Sequence, residues 1–163
     1  MSYYITTIGQ DSHRFDTEIK EGGSVMLGGV PVPHNRAFVA NSDGDVLLHA
    51  ITNAVSGYTG INVLGGAADK ICLEQGIKDS TVYLAEALKD VHGARILHVS
   101  ATIECLRPKL MPHIPAMKEK IGSLLGIPAS SVGITATTGE GLTEFGKGEG
   151  VQVFVLVSWE VEG

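Results

Sequence analysis

Two hydrophobic periods alternate along the chain, and the points where one gives way to the other outline its elements. Tyr4 to Phe15 reads as a strand, so its side chains alternate between two faces. Val25 to Leu27, Gly28-Gly29 and Val30 to Pro33 read as a short strand, a glycine turn and an extended proline segment, a hairpin-like lead into the first helix. Val46, Leu47, Ala50, Ile51 and Ala54 then supply a helical stripe, with Ser42 or Asp43 as its cap and acidic residues crowding its first turn. Ser56 to Lys78 holds five glycines and no sustained period, which predicts a flexible or ligand-shaped loop. A second helix starts at Asp79 or Ser80, carries Val82, Leu84, Ala85, Leu88 and Val91, and ends near Gly93. Arg95 to Leu106 reads as a strand, and a third helix runs from Pro115 to Gly126. Val132 to Thr137 and Val151 to Glu160 are two further strands, the last nearly continuous in valine and leucine and so expected to be buried. This order predicts an α+β fold, one domain over residues 1–163, with a mixed sheet and helices on one face.

Composition narrows the partners. Hydrophobic residues make up 44% of the 163, charged residues 18%, and the net charge is -6, which describes a folded chain and argues against nucleic acid as a partner. Any anionic ligand must be held by local groups. Cys72 and Cys105 are too few and too far apart for a disulfide framework, and they read as buried thiols in a reducing cytoplasm. No leader and no run of 18 apolar residues is present, so the expectation is a soluble chain with no membrane partner.

The chemistry is concentrated in Asp11-Ser12-His13 and in Asn41-Ser42-Asp43-Gly44-Asp45 followed by His49. Asp11 and His13, at i and i+2 on a strand, project to one side. His49 lies about one helical turn beyond Asp45. One carboxylate and two neutral imidazoles are a common catalytic zinc set, leaving a fourth position for water or a substrate oxygen.

Further motifs follow in order: Ile8-Gly9-Gln10-Asp11-Ser12-His13, Gly28-Gly29-Val30, Ser42-Asp43-Gly44-Asp45 with His49, Arg107-Pro108-Lys109-Leu110-Met111-Pro112-His113-Ile114, Ala136-Thr137-Thr138-Gly139-Glu140, and Gly148-Glu149-Gly150. Together they resemble the 2-C-methyl-D-erythritol 2,4-cyclodiphosphate synthase family over essentially the whole chain. The resemblance implies a homotrimer with active sites between subunits. It also implies cyclisation of 4-diphosphocytidyl-2-C-methyl-D-erythritol 2-phosphate with release of CMP, in isoprenoid precursor synthesis by the non-mevalonate route. By the same match Asp11, His13 and His49 hold zinc, and Glu140 is a ligand of a magnesium or manganese ion that bridges the substrate diphosphate. Thr138 stabilises the transition state, and Lys109 sits near phosphate. Pro108, Lys109, Leu110 and Met111 form the cytidine pocket, while Thr137, Gly139 and Glu140 line the diphosphate side. Ser42 and the residue before it contact substrate phosphate, as does Lys147. Asp45 is expected to orient His49. His113 reads as a turn residue and Gly148 to Gly150 as structural, with a ring of charged side chains where three subunits meet.

The departures fall on one half of the substrate. Asn41 stands where the family has histidine, Asn53 where it has aspartate, and Lys147 where it has arginine. The family's substrate-loop motif is replaced by Val63-Leu64-Gly65-Gly66-Ala67-Ala68-Asp69-Lys70. These changes leave two alternatives open beside the synthase: a paralogue acting on another cytidine-nucleotide or phosphorylated substrate, and a trimeric metal- or nucleotide-binding protein without turnover.

Overall fold

The first strand, β1 (Ser2–Arg14), lies at one edge of a four-stranded sheet and pairs along its whole length with β6 (Gly150–Glu162). The computed structural model describes all residues, 1–163. β4 (Ala94–Glu104) runs antiparallel to β6 and parallel to β5 (Val132–Thr137), which gives the order β1-β6-β4-β5 and a mixed sheet. β2 (Ser24–Leu27) and β3 (Val30–Pro33) form the separate hairpin that the glycine turn predicts; Gly28 and Gly29 both have positive φ, the conformation a tight two-residue hairpin requires.

Helices cover one face. α1 (Val46–Thr59) packs on β1 and β6, α3 (Ser80–Leu88) packs on α1, and α4 (Ile114–Leu125) packs beside β5. The covered face of β6 presents Val151, Val153, Val155, Val157 and Trp159, all buried. Its other face was expected to be buried too, but Phe154 and Leu156 are 41% and 47% exposed, and Ile8, opposite Leu156 on β1, is 62% exposed. The run of apolar residues in β6 therefore marks a sheet with one helix-covered face and one apolar face that nothing in the chain covers. None of the helices is long and apolar enough to cross a membrane.

Two local expectations are corrected. Residues 56–78 are not a loop: α1 continues to Thr59, an irregular turn spans Val63–Ala67 with Leu64 and Gly65 outside helical geometry, and α2 runs Ala68–Gln75. The cap of α1 is Asp45, not Ser42 or Asp43, and no acidic residue lies inside its first turn. Asp45 Oδ1 accepts the Leu48 N–H at 3.0 Å and the Gly28 N–H at 2.9 Å, while Oδ2 accepts the Gly29 N–H at 2.7 Å. One carboxylate thus ties the hairpin turn to the helix start.

Gly9 sets the distance between β1 and α1. A Cβ there would collide with Ala50 O and come within 2.6 Å of Ala54 N, so helix backbone lies directly against strand backbone. Gly9→Ala is expected to force the two apart and cost about 3 kcal/mol, read as a lower urea midpoint at unchanged slope.

Candidate metal centre

Asp11 and His13 leave the end of β1 on the same side, and the close approach at Gly9 brings the first turn of α1, with His49, against them. His49 Nδ1 lies 3.1 Å from Asp11 Oδ2, His13 Nε2 lies 3.4 Å from the same oxygen, and the two ring nitrogens are 3.4 Å apart. A tetrahedral zinc with bonds near 2.05 Å separates its ligand atoms by about 3.3 Å. The triangle is therefore the face of such a tetrahedron, and these three residues form a cluster able to hold a metal ion. Burial pushes His13 below the usual imidazole range, against the opposing pull of the Asp11 carboxylate, and so favours the neutral ring that a metal ligand requires.

His49 is 7% exposed and is held from behind. Its Nε2 lies 2.8 Å from Ser80 Oγ and 3.5 Å from Ser42 Oγ. The Ser80 hydroxyl in turn donates to Asp43 Oδ1, and the Ser80 N–H donates to Asp43 Oδ2 at 3.0 Å. Asp45 does not orient His49 through its side chain, contrary to expectation, because its carboxylate is committed to the hairpin and to Leu48. Sequence reasoning missed Ser80, which it weighed only as a helix cap; the helix cap is Asp79, whose side chain accepts from Thr81 N.

The metal ligands open into a cavity of about 370 Å³ that also contains Asn41, Ser42 and Asn53. Its outer wall is the segment expected to be loop: Leu64, Gly65, Ala68, Asp69 and Cys72. Asn41 and Asn53 thus sit beside the metal cluster, Asn41 with its carbonyl accepting the Cys72 S–H at 3.2 Å, Asn53 with its amide donating to Gln10 O at 3.0 Å.

A second cavity of about 380 Å³ gathers Pro108, Lys109, Leu110, Met111, Thr137 and Thr138 with Cys105 to Arg107. Here the chain leaves β4 and β5 side by side, joined by Cys105 N–H donating to Thr137 O at 3.1 Å. Burial pushes the Cys105 thiol up to about 11, so it stays protonated and serves as packing. Gly139, Glu140 and Lys147 line neither cavity. Glu140 is the one non-glycine residue with positive φ, at 59°, and the exposed Lys147 pairs with Glu144 at 3.2 Å. His113 ends a short 3-10 turn, Met111–His113, in keeping with a turn role. Glu149 lies 3.9 Å from both Arg14 and Arg36.

The chain shares its fold and much of its sequence with known proteins. The profile of the YgbB family matches residues 4–160. The 2-C-methyl-D-erythritol 2,4-cyclodiphosphate synthase of Chlamydia caviae is 48% identical over 156 residues, covering 95% of this chain and 88% of its own. A solved 2C-methyl-D-erythritol-2,4-cyclodiphosphate synthase in its CDP-bound form superposes with a TM-score of 0.81 at 31% identity, over 94% of this chain and 98% of that one. The bifunctional IspDF from Campylobacter jejuni superposes with a TM-score of 0.85 at 27% identity over 99% of this chain, which spans 43% of that longer protein. Since the family profile spans the chain almost from end to end and nearly half of its residues recur in a synthase of like length, the chain belongs to the YgbB family of 2-C-methyl-D-erythritol 2,4-cyclodiphosphate synthases.

Proposed function

We propose that this chain is itself a 2-C-methyl-D-erythritol 2,4-cyclodiphosphate synthase, closing 4-diphosphocytidyl-2-C-methyl-D-erythritol 2-phosphate to the cyclic diphosphate and releasing CMP. The observation that carries the reading is the Asp11-His13-His49 triangle, with sides of 3.1 to 3.4 Å, in a chain 48% identical to a synthase. Zinc is the metal that donor set suits, and bound there it would neutralise and orient a phosphate oxygen. Asn41 and Ser42, in the same cavity, are placed to hydrogen-bond the phosphate that the metal orients; Asn41 supplies an amide where the family's histidine would supply a charge. Pro108 to Met111 offer a mostly apolar slot for the cytosine ring, with the Lys109 ammonium for its phosphates. The Thr138 hydroxyl is assigned to the crowded phosphorus in the transition state, with Thr137 and Gly139 beside it. Glu140 is assigned to the magnesium or manganese ion on the diphosphate, and Lys147 to an outer phosphate.

The two cavities share no residue. β1 and β5 are the opposite edges of the sheet, three strand spacings or about 14 Å apart. A substrate reaching both is best served if the nucleotide half comes from a neighbouring subunit. The uncovered face with Ile8, Phe154 and Leu156 suits the homotrimer that would supply it. The free thiols of Cys72 and Cys105 fit the cytoplasm.

Incubation of the protein with zinc, magnesium and the diphosphocytidyl substrate tests the reading. Cyclic diphosphate and CMP in equal amounts support it; tight CMP binding without turnover rejects it. Glu140→Gly separates chemistry from shape. The left-handed backbone at Glu140 costs a side-chain-bearing residue about 1 kcal/mol, which glycine relieves. The variant is therefore expected to melt at or above the wild-type temperature while CMP release falls by roughly 100-fold, the loss of one cation ligand. Unchanged turnover would remove Glu140 from the site.

A further inference from the structure

We propose that Ser80, backed by Asp43, is a positioning residue that fixes the tautomer of His49 and thereby frees the ring nitrogen that binds metal. This rests on the reading of Asp11, His13 and His49 as a metal site.

Three donors converge on the Asp43 carboxylate: the Asp45 N–H at 3.0 Å, the Ser80 N–H at 3.0 Å and the Ser80 hydroxyl. A serine hydroxyl has a single proton, and here it goes to Asp43. What Ser80 Oγ has left for His49 is lone pairs. His49 Nε2, 2.8 Å away, must therefore be the protonated nitrogen and donate to Ser80 Oγ. Nδ1 is then bare, and Nδ1 is the atom that faces Asp11 Oδ2 and His13 Nε2.

The alternative tautomer has a specific cost to function. With its proton on Nδ1, His49 would donate to Asp11 Oδ2 at the 3.1 Å already present, tying up two of the three metal ligands in a hydrogen bond with each other. Ser80 and Asp43 bias the ring against that state. Water does not compete for the contact, because Ser80 is fully buried and His49 nearly so. The two residues come from the ends of different helices, α1 and α3, so the contact also fixes the roll of α1 that aims His49 at β1.

The test uses the full chain, first stripped of metal. Long-range proton–nitrogen NMR on the zinc-free wild type is expected to show His49 protonated at Nε2, and Ser80→Ala is expected to shift the ring towards Nδ1 protonation. Zinc affinity, read by competition with a chromophoric chelator, is expected to fall roughly 10- to 100-fold in Ser80→Ala, with Ser80→Thr, which keeps the hydroxyl, recovering most of it. Zinc held equally tightly by wild type and Ser80→Ala, or a wild-type ring protonated at Nδ1, overturns the proposal alone. A wild-type chain that binds no zinc refutes the metal site itself and the proposal with it.

Discussion

His49→Ala is expected to lose metal and turnover together. Zinc, about one per chain in the wild type, should fall to a small fraction of that by elemental analysis, and CMP release should drop roughly 1,000-fold or more, the equivalent of several kcal/mol of charge stabilisation. Two ligands remain after the substitution, but they no longer define a tetrahedral face: Asp11 Oδ2 and His13 Nε2 fix one edge, 3.4 Å long, and leave the ion free to swing about it. Asp11→Ala should behave the same way, since its Oδ2 is the corner shared by both imidazoles. The loss is not a consequence of unfolding. His49 is buried, but its hydrogen-bond partners are the polar side chains of Asp11, His13, Ser42 and Ser80, and the aliphatic residues that anchor α1, Leu47, Leu48, Ile51 and Val55, are left unchanged. The zinc-free proteins should therefore give matching circular dichroism spectra. Full zinc retention in both His49→Ala and Asp11→Ala would reject the assignment.

Asp45→Ala is expected to act on stability instead. It strands three backbone N–H groups, of Gly28, Gly29 and Leu48, two of them in the hairpin turn. Leaving buried donors without partners costs about 1 to 3 kcal/mol each, and with some relaxation the total should be about 4 kcal/mol. The pH dependence has a defined sign. Burial pushes the Asp45 carboxyl up to about 6 from 3.8, against the three N–H donors that pull it down. A folded-state value above the unfolded one means that its contribution is fully present below about pH 4 and is lost as pH rises through about 6, amounting to about 3 kcal/mol. The stability gap between wild type and Asp45→Ala in zinc-free protein should therefore be wider at pH 4.5 than at pH 7.5. His13 and His34, both pushed down by burial, act in the opposite sense but are common to both chains and cancel in the difference. A gap that narrows on acidification would show that the three N–H groups, and not burial, dominate at this carboxylate.

Much of this arrangement was legible in the sequence. The alternation in β1 put Asp11 and His13 on one side, the spacing in α1 placed His49 on a helix, and the glycine pair at 28–29 marked a hairpin. What failed did so for identifiable reasons. α2 buries only Ala68 and Cys72 among eight residues and leaves Leu73 76% exposed, so a segment this short and this thinly buried shows no sustained helical period against five surrounding glycines. Ser42, Asp43 and Asp45 are equally good caps by residue type. The choice fell to Asp45 because two amides 16 and 17 residues earlier in the chain meet its carboxylate. Asp43, released from capping, turned to Ser80, 37 residues away.

The sequence by itself determined the secondary elements with sustained periods, the donor types of the metal cluster and the family, because each depends on residues close in the chain or on motif order. Tertiary structure alone decided which carboxylate serves the helix and which serves the histidine, that the segment after α1 is a helical wall of the metal cavity, and that one face of β6 stays uncovered. Each of these depends on which residues far apart in the chain come together, and a polar side chain with several possible partners commits only when packing has brought one of them within hydrogen-bonding distance.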